Sequence, residues 1–343
     1  MSWKEYDIDD EDVAEWLPWE GIVRPTVMKN KDGSFLSVIE YIPYISSKKI
    51  KYCNYQNGWN IWSEKQHRQG NDRYFLTISW NPIYDRALKA ENTLTACFVD
   101  EKKATDYFAE EIQTLTNDIS AVNTCQLLEY QEILDFLSFT LSFGENSVIL
   151  PENSLYLDLD ILLSQDLNVK FLGNDISMNE KTLLVLTLPS IPEMSIMNIL
   201  YKAFVGITYR YVQRILLFGK KMAQEDLDKY VSNWCSGRKS LRETMTANLL
   251  SNLNGYYTAS LFFLLSNDDY DKIRDYCKEI LNTLEIPYFL ENYNLKDVWW
   301  GSIPGIFRAN INAPITGFSF LDDLLVQREN EEEVNENVSL EPI

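Results

Sequence analysis

The stretch Val298-Trp-Trp-Gly-Ser-Ile-Pro-Gly-Ile-Phe-Arg-Ala-Asn-Ile-Asn-Ala-Pro314, with Phe320-Leu-Asp-Asp-Leu-Leu325 behind it, organises the whole chain. Trp299 and Trp300 stand together and are followed by Gly301, Ser302, Pro304 and Gly305. Glycine supplies φ > 0 or a close backbone approach, and proline fixes φ while removing a donor. The composition therefore predicts a shaped loop, neither helix nor strand, held as a buried connection under its aromatics. Arg308 is the base closest to it, and Asn310 and Pro314 continue it.

The rest of the 343 residues must provide what this loop packs against. Single cores seldom grow beyond about 250–300 residues, so two subdomains are expected: 1–150, ending near Pro151, and 151–327. Residues 328–343 read as an acidic, disordered tail. With 45% hydrophobic and 13% aromatic residues the chain has the composition of a folded protein.

The net charge is −20, from 51 acids against 31 bases. Binding to a phosphate backbone needs clustered Lys and Arg, so direct nucleic-acid binding is not expected. Docking on anionic lipid through charge alone is excluded on the same ground. Five scattered cysteines without a CxxC pair and a single histidine, His67, give no zinc-ligand spacing. Scattered thiols suit a reducing compartment. The acidic start has no apolar signal region, and the longest apolar runs are far too short to span a membrane. The expectation is a cytoplasmic protein.

Before the loop, Tyr256–Leu265 reads as a long strand, Asp268–Leu284 as a helix using Ile273, Tyr276, Cys277, Ile280 and Leu284, and 287–291 as a strand. That order predicts a small open α/β sheet with a crossover helix. Further back, strands are expected at Ile22–Lys29 and Phe35–Tyr44 around the turn Asn30-Lys-Asp-Gly33. Others are expected at 58–66, 73–80, 155–163, 169–172, 181–188 and 208–218. Helices are expected at 9–19, Ala104–Ile119, Leu127–Leu141, Ser195–Val205, Lys220–Trp234 and Ser240–Leu253. The class is α+β, with mixed or antiparallel sheets and packed helices.

Few residues suggest chemistry. Glu129, Glu132 and Asp135 fall on one helix and read as a solvated face. Asp158 and Asp160, two apart on a predicted strand, would share a face, as paired or metal-binding carboxylates sometimes do; a solvated face is the plainer reading. Arg210 and Arg214 are the best anion-binding candidates, with pairing to local acids as the plainer reading. His67 ends a predicted strand as an ordinary surface or hydrogen-bonded residue. GxxxxGK[ST], GxGxxG and GxSxG are all absent. No catalytic residue, cofactor site or metal site is therefore assigned, and the chain is read as a non-enzyme.

Three blocks carry a resemblance. They are Leu17-Pro-Trp19 with Asn30-Lys-Asp-Gly-Ser-Phe35; Tyr257-Thr-Ala within the long strand; and Trp300-Gly-Ser-Ile-Pro-Gly305 with Ala309-Asn310, Pro314 and Leu321-Asp-Asp-Leu-Leu325. Together they resemble the N-terminal domain of the conjugative-transfer ATPases of type IV secretion systems, the CagE/TrbE/VirB family. The likeness runs from about Trp16 to Leu325. It departs between Ile45 and Tyr55, where this chain is short, and at Asn312-Ala313, where the family often carries two arginines.

The resemblance implies a docking and assembly module at the cytoplasmic face of the inner membrane, contacting inner-membrane secretion components and ATPase subunits. ATP and Mg are implied only for a motor domain that this chain lacks. Trp299, Trp300, Gly301, Ser302, Pro304, Gly305, Arg308, Asn310 and Pro314 are the residues it marks for an interface or structural role. The alternatives that stay open are a two-chain ATPase with its motor on a separate polypeptide, and a degenerate remnant or an enzyme with an unrecognised carboxylate site around Asp158 and Asp160.

Overall fold

The computed structural model describes residues 13–45, 59–68, 71–82, 101–121, 123–149, 158–165, 167–172, 175–188, 194–217, 253–292, 295–306, 313–316 and 326–327. At its centre runs β5 (Trp59–Arg68), ten residues of which the first nine are buried although most of them after Trp62 are polar or charged. Around it lie β1 (Trp19–Arg24), β2 (Val27–Asn30), β3 (Phe35–Ile42) and β6 (Asn71–Trp80). β7 (Thr124–Leu127), β8 (Val169–Leu172), β9 (Asp175–Met178) and β10 (Lys181–Leu188) follow. β11 (Tyr209–Leu217), β12 (Leu253–Leu265), β13 (Phe289–Leu290) and β14 (Ala313–Thr316) complete a 13-stranded sheet. Its main path is β1-β2-β3-β6-β5-β11-β12-β10-β9-β8, with β7 on β3, β13 on β10 and β14 on β12. A separate parallel pair joins β4 (Tyr44–Ile45) to β15 (Val326–Gln327).

The stretches 1–150 and 151–327 meet inside this sheet, where β5 pairs β11 from Asn60 opposite Leu216 to His67 opposite Tyr209. Side chains alternate between two covered faces, as a period of two dictates. The first face carries Phe35, Ile39, Ile61, Ile78, Leu186, Tyr209, Leu261 and Phe263. Over it lie α2 (Glu101–Ser120), α5 (Met194–Ala203) and α6 (Asn267–Thr283). The second face carries Leu36, Val38, Trp62, Phe75, Val185, Val212 and Phe262. Over it lie α3 (Tyr130–Ser142), α4 (Leu159–Ser164) and α7 (Leu295–Ser302), with α1 (Val13–Trp16) packed against α4. The α+β class holds.

Most elements follow the periodicities. α2 buries Phe108, Ile112, Leu115 and Ile119, and α6 buries Ile273, Cys277 and Ile280. β12 and β13 lie on opposite sides of β10, both antiparallel to it, so α6 is the expected crossover. The Asn30–Gly33 turn forms with Gly33 at φ 79, where any side chain would be strained.

Several expectations fail for physical reasons. The single strand over 22–29 is two strands, because Pro25 lacks the ladder donor and turns the chain at Thr26. The helix over 127–141 begins only at Tyr130: Leu128 N donates to Val38 O at 2.9 Å, continuing the β7 contact with β3. Between 169 and 188 there are three strands rather than two. Asp158 and Asp160 belong to a helix and its start, where residues two apart point different ways. The Trp299 segment is also helical: Leu295, Trp299, Ser302 and Ile303 fall on one buried stripe. The expected helix at 220–234 and all but the last residue of the one at 240–253 lie outside the described residues, as does the acidic tail; Leu253 opens β12 instead.

Candidate functional site

The Trp299 segment sits on the second face of the sheet and is held by side-chain donors aimed at its main-chain carbonyls. The last carbonyls of a helix have no partner within it. Here Trp62 Nε1 donates to Gly301 O at 3.0 Å and Arg210 Nη2 to Ser302 O at 3.4 Å. Beyond the helix, Trp19 Nε1 donates to Pro304 O at 2.9 Å and Asn60 Nδ2 to Ile306 O at 3.5 Å. Arginine at a helix C-terminus also meets the negative end of its dipole.

The N-terminal block closes on the same spot. Gly305 has φ 98, and a Cβ there would lie 3.0 Å from the Asn30 amide and 3.2 Å from Pro18 Cγ. Lys31 N donates to Pro18 O at 2.8 Å, and its ammonium reaches Ala14 O at 2.8 Å and the Asp160 carboxylate at 2.5 Å. Trp300 meets Trp16 edge-on at 5.5 Å, and Phe171 of β8 bridges Trp16 at 5.4 Å to Trp299 at 6.1 Å. Two blocks from opposite ends of the sequence thus build one lock.

Behind the lock lies an ion pair with no exposure on either side chain: Arg210 Nε and Nη2 grip Glu64 Oε1 and Oε2 at 2.8 and 2.9 Å. Gln66 donates to the same carboxylate at 2.8 Å, Thr140 at 3.4 Å, and Gln66 also reaches Phe136 O of α3 at 3.4 Å. The guanidinium lies 5.4 Å from the Phe262 ring centroid. A buried charge is tolerable only when paired and hydrogen-bonded in this way. Arg214 lies beside it, its Nε on Asn60 Oδ1 at 3.0 Å and its guanidinium over Trp62.

The opposite face of β5 holds a second polar cluster. Lys65 Nζ lies 2.8 Å from Asp72 Oδ2 and 3.4 Å from the Tyr201 ring centroid. His67 Nδ1 contacts Asp72 Oδ1 at 2.5 Å and Nε2 contacts Val205 O at 2.7 Å. Burial pushes the Lys65 ammonium down to about 8 against the pull of Asp72. Burial alone would raise the Asp72 carboxyl, but hydrogen bonds from Lys65 and His67 hold it below its ordinary value.

Of the residues marked by sequence, Trp299, Gly301, Ser302, Pro304 and Gly305 are buried in the lock and Trp300 partly so. Pro314 pairs with Tyr256 through β14, while Arg308 and Asn310 lie outside the described residues. Asp158 is exposed and Asp160 is paired with Lys31, so the two carboxylates do not converge. Glu129, Glu132 and Asp135 lie at the surface, Glu132 capping the start of α3 through Glu129 N. The sequence reading missed Glu64, Lys65 and Gln66, whose signal is a run of charges inside an aromatic strand. A recess of about 490 Å³ lined by Val23, Arg24, Glu101, Lys102, Thr105 and Asp106 contains the Arg24–Asp106 ion pair. Among the described residues no three His, Cys, Asp or Glu gather as a metal site, and no helix is long and apolar enough to cross a membrane.

No family model matches the chain. Its sequence is similar to the conjugal transfer protein TrbE of Rhizobium radiobacter, at 22% identity over 315 residues, 76% of this chain and 37% of that protein. It is also similar to a probable conjugal transfer protein TrbE of Sinorhizobium fredii (strain NBRC 101917 / NGR234), named there as the second piece of TrbE, at 24% over 234 residues, 58% of this chain and 33% of that protein. Among solved structures, a variant of berberine bridge enzyme in complex with (S)-reticuline aligns over 72% of this chain and 40% of its own, with 6% identity and a TM-score of 0.27, too low to carry an argument. The chain spans about a third of the length of these curated relatives, and the resemblance read from its motif blocks is borne out: proteins named TrbE conjugal transfer proteins cover 58–76% of it at low identity.

Proposed function

We propose that this chain serves conjugal transfer as an assembly module of a type IV secretion ATPase. It docks on inner-membrane secretion components and on ATPase subunits from the cytoplasmic side, and it does not itself hydrolyse nucleotide. One observation supports this above others: the two terminal blocks by which the sequence resembles the CagE/TrbE/VirB family are joined in a single lock. The polar groups of that lock are spent on backbone carbonyls and on one another rather than pointed into a cleft. Such an arrangement fixes the relative position of distant parts of a chain, which suits a platform more than a reaction centre. The net charge of −20 favours a basic partner face.

A two-chain ATPase is the second reading, favoured by one relative being named as the second piece of a TrbE protein. ATP and Mg then belong to the motor polypeptide. Deleting the gene from a conjugating strain, restoring it, and counting transconjugants tests both readings. The expected result is transfer lost on deletion and regained with the wild-type gene, with the tagged chain captured alongside inner-membrane components. Undiminished transfer overturns both. ATP hydrolysis by the purified chain alone overturns the assembly reading, and hydrolysis only after adding a motor polypeptide establishes the two-chain form.

A further inference from the structure

His67 lies at the junction of three elements on the first face of the sheet. It is 3% exposed, and its ring stacks on Tyr209 with centroids 5.1 Å apart and planes 16° apart. Both nitrogens meet oxygens: the Asp72 carboxylate at 2.5 Å and the Val205 carbonyl at 2.7 Å. A main-chain carbonyl can only accept, and an ionised carboxylate can only accept. A neutral imidazole has one N–H, so it satisfies one of these oxygens; only the doubly protonated ring satisfies both. We propose that His67 is a proton-dependent pin: its doubly protonated ring ties β6 to the turn that follows α5, and loss of one ring proton releases that turn.

Charged and aromatic groups surround the ring: the Asp72 carboxylate favours its second proton, and the Lys65 ammonium on the same carboxylate works against it. Lys65 of β5 shares the Asp72 carboxylate at 2.8 Å. Tyr74 of β6, Tyr209 of β11 and Tyr201 of α5 offer ring faces to Lys65, and Tyr41 of β3 and Tyr211 of β11 border Tyr74 and Tyr201. Aromatic faces favour a cation at such distances. Burial pushes the phenols of Tyr41, Tyr201 and Tyr209 upward, so these three stay neutral around the ring.

When the ring gives up a proton to solvent, the bond to the charged carboxylate is the stronger of the two, so Nδ1 keeps its hydrogen. Nε2 then turns a lone pair toward Val205 O, acceptor against acceptor at 2.7 Å. The turn has somewhere to go. Val205 is 46% exposed and Gly206 is exposed as well, so it can swing outward while Phe204 and Ile207 stay anchored in the core.

The chain contains one histidine, so ring-¹⁵N labelling of the full chain reports a single residue. Titrating upward from acid is expected to show both ring nitrogens protonated at the acid end and Nε2, not Nδ1, losing its hydrogen. The amide signals of Val205–Ile207 should shift with the same midpoint. A folded chain whose ring never carries two protons, a hydrogen retained on Nε2, or amides that ignore the titration would each overturn the pin. His67→Phe keeps the stack and should abolish that midpoint in the Val205–Ile207 amides. Asp72→Asn should move the midpoint down by about 1 pH unit or more, because a nearby opposite charge shifts titration by that much. Should either variant fail to fold, the wild-type titration decides alone.

Discussion

β5 presents two different polar solutions on its two faces. Toward α3 and α7, Glu64 meets Arg210 in a bidentate pair with no exposure, reinforced by Gln66 and Thr140. Toward α5, Lys65 and His67 share one carboxylate, Asp72, whose side chain is 37% exposed. The first is sealed: Glu64 and Arg210 grip each other in a bidentate pair among fixed donors, with a second buried guanidinium, Arg214, held beside them on Asn60. The second gathers two bases on one acid at the edge of solvent. Burial alone does not make a charge permanent. What decides is whether the partner is matched and equally sealed, so the Glu64 side should behave as architecture and the Lys65 side should respond to pH.

The largest test breaks the sealed side. Replacing Glu64→Gln or Arg210→Met strands the other charge in the core, and such losses cost about 3–5 kcal/mol. The double replacement Glu64→Leu with Arg210→Met should recover most of that, because neither charge then needs a partner. Denaturant unfolding of the three variants checks this. Single losses below about 1 kcal/mol would show that the pair is solvated and that the two faces do not differ as argued.

The next test addresses the titrating side. Lys65 in the folded chain lies at about 8 against an ordinary 10.5, lowered by burial. Between those values the unfolded chain carries a proton that the folded chain has shed, so unfolding takes up a proton and stability rises with pH. Each pH unit of such a difference is worth about 1.4 kcal/mol. At higher pH the sign turns, because burial raises Cys277 from 9.0 and Tyr41 from 10.0, each to about 12, so unfolding releases protons there. Stability should therefore climb above about pH 8, where Lys65 sheds its proton, and then flatten or fall as unfolded thiol and phenol ionise. Lys65→Met should remove the part of the climb that begins at about pH 8 while leaving the later fall, as Tm against pH will show; an unchanged onset would remove Lys65 as its source.

Gly305→Ala tests whether the lock belongs to the sealed side. A residue held at positive φ costs on the order of 1–3 kcal/mol, and the new methyl meets Asn30 and Pro18 at 3.0 and 3.2 Å. The loss should be accompanied by faster amide exchange over 299–306. Loss of stability without that exchange would detach the lock from the Glu64–Arg210 layer.

How far the sequence reached follows the same division. The α+β class, the Asn30–Gly33 hairpin, α2, α6 and its crossover, and the run of β12 were all legible, because a 2- or 3.6-residue period and a glycine turn are local signals. The lock was legible only as motif blocks, since nothing local says that Trp19 and Pro304 meet. Gly301, Pro304 and Gly305 read as a loop, yet Trp299 is helical, because burial of the stripe it shares with Leu295 and Ile303 overrides that local signal. The charges of β5 carry no local sign of burial, because charged residues on a strand ordinarily face solvent, and only a sheet covered on both faces makes Glu64, Lys65 and His67 internal.

The smallest effect lies outside both faces and sharpens the rule. Asp160 pairs with Lys31 at 2.5 Å, but Lys31 is 38% exposed, and Asp158 at the start of α4 is itself exposed. A pair open to water on one side contributes little, about 0–1 kcal/mol. Asp160→Asn should therefore cost less than about 1 kcal/mol, and Asp158→Asn should lie within about 0.5 kcal/mol of wild type, as for any surface change. Were Asp160→Asn to cost as much as Glu64→Gln, a half-open pair would equal a sealed one, and matched burial could not be what separates the two faces of β5. A loss of conjugal transfer by Asp158→Asn in a chain that remains folded would go further and give that carboxylate a chemical duty, for which its exposed place at the start of α4 supplies no partner with Asp160.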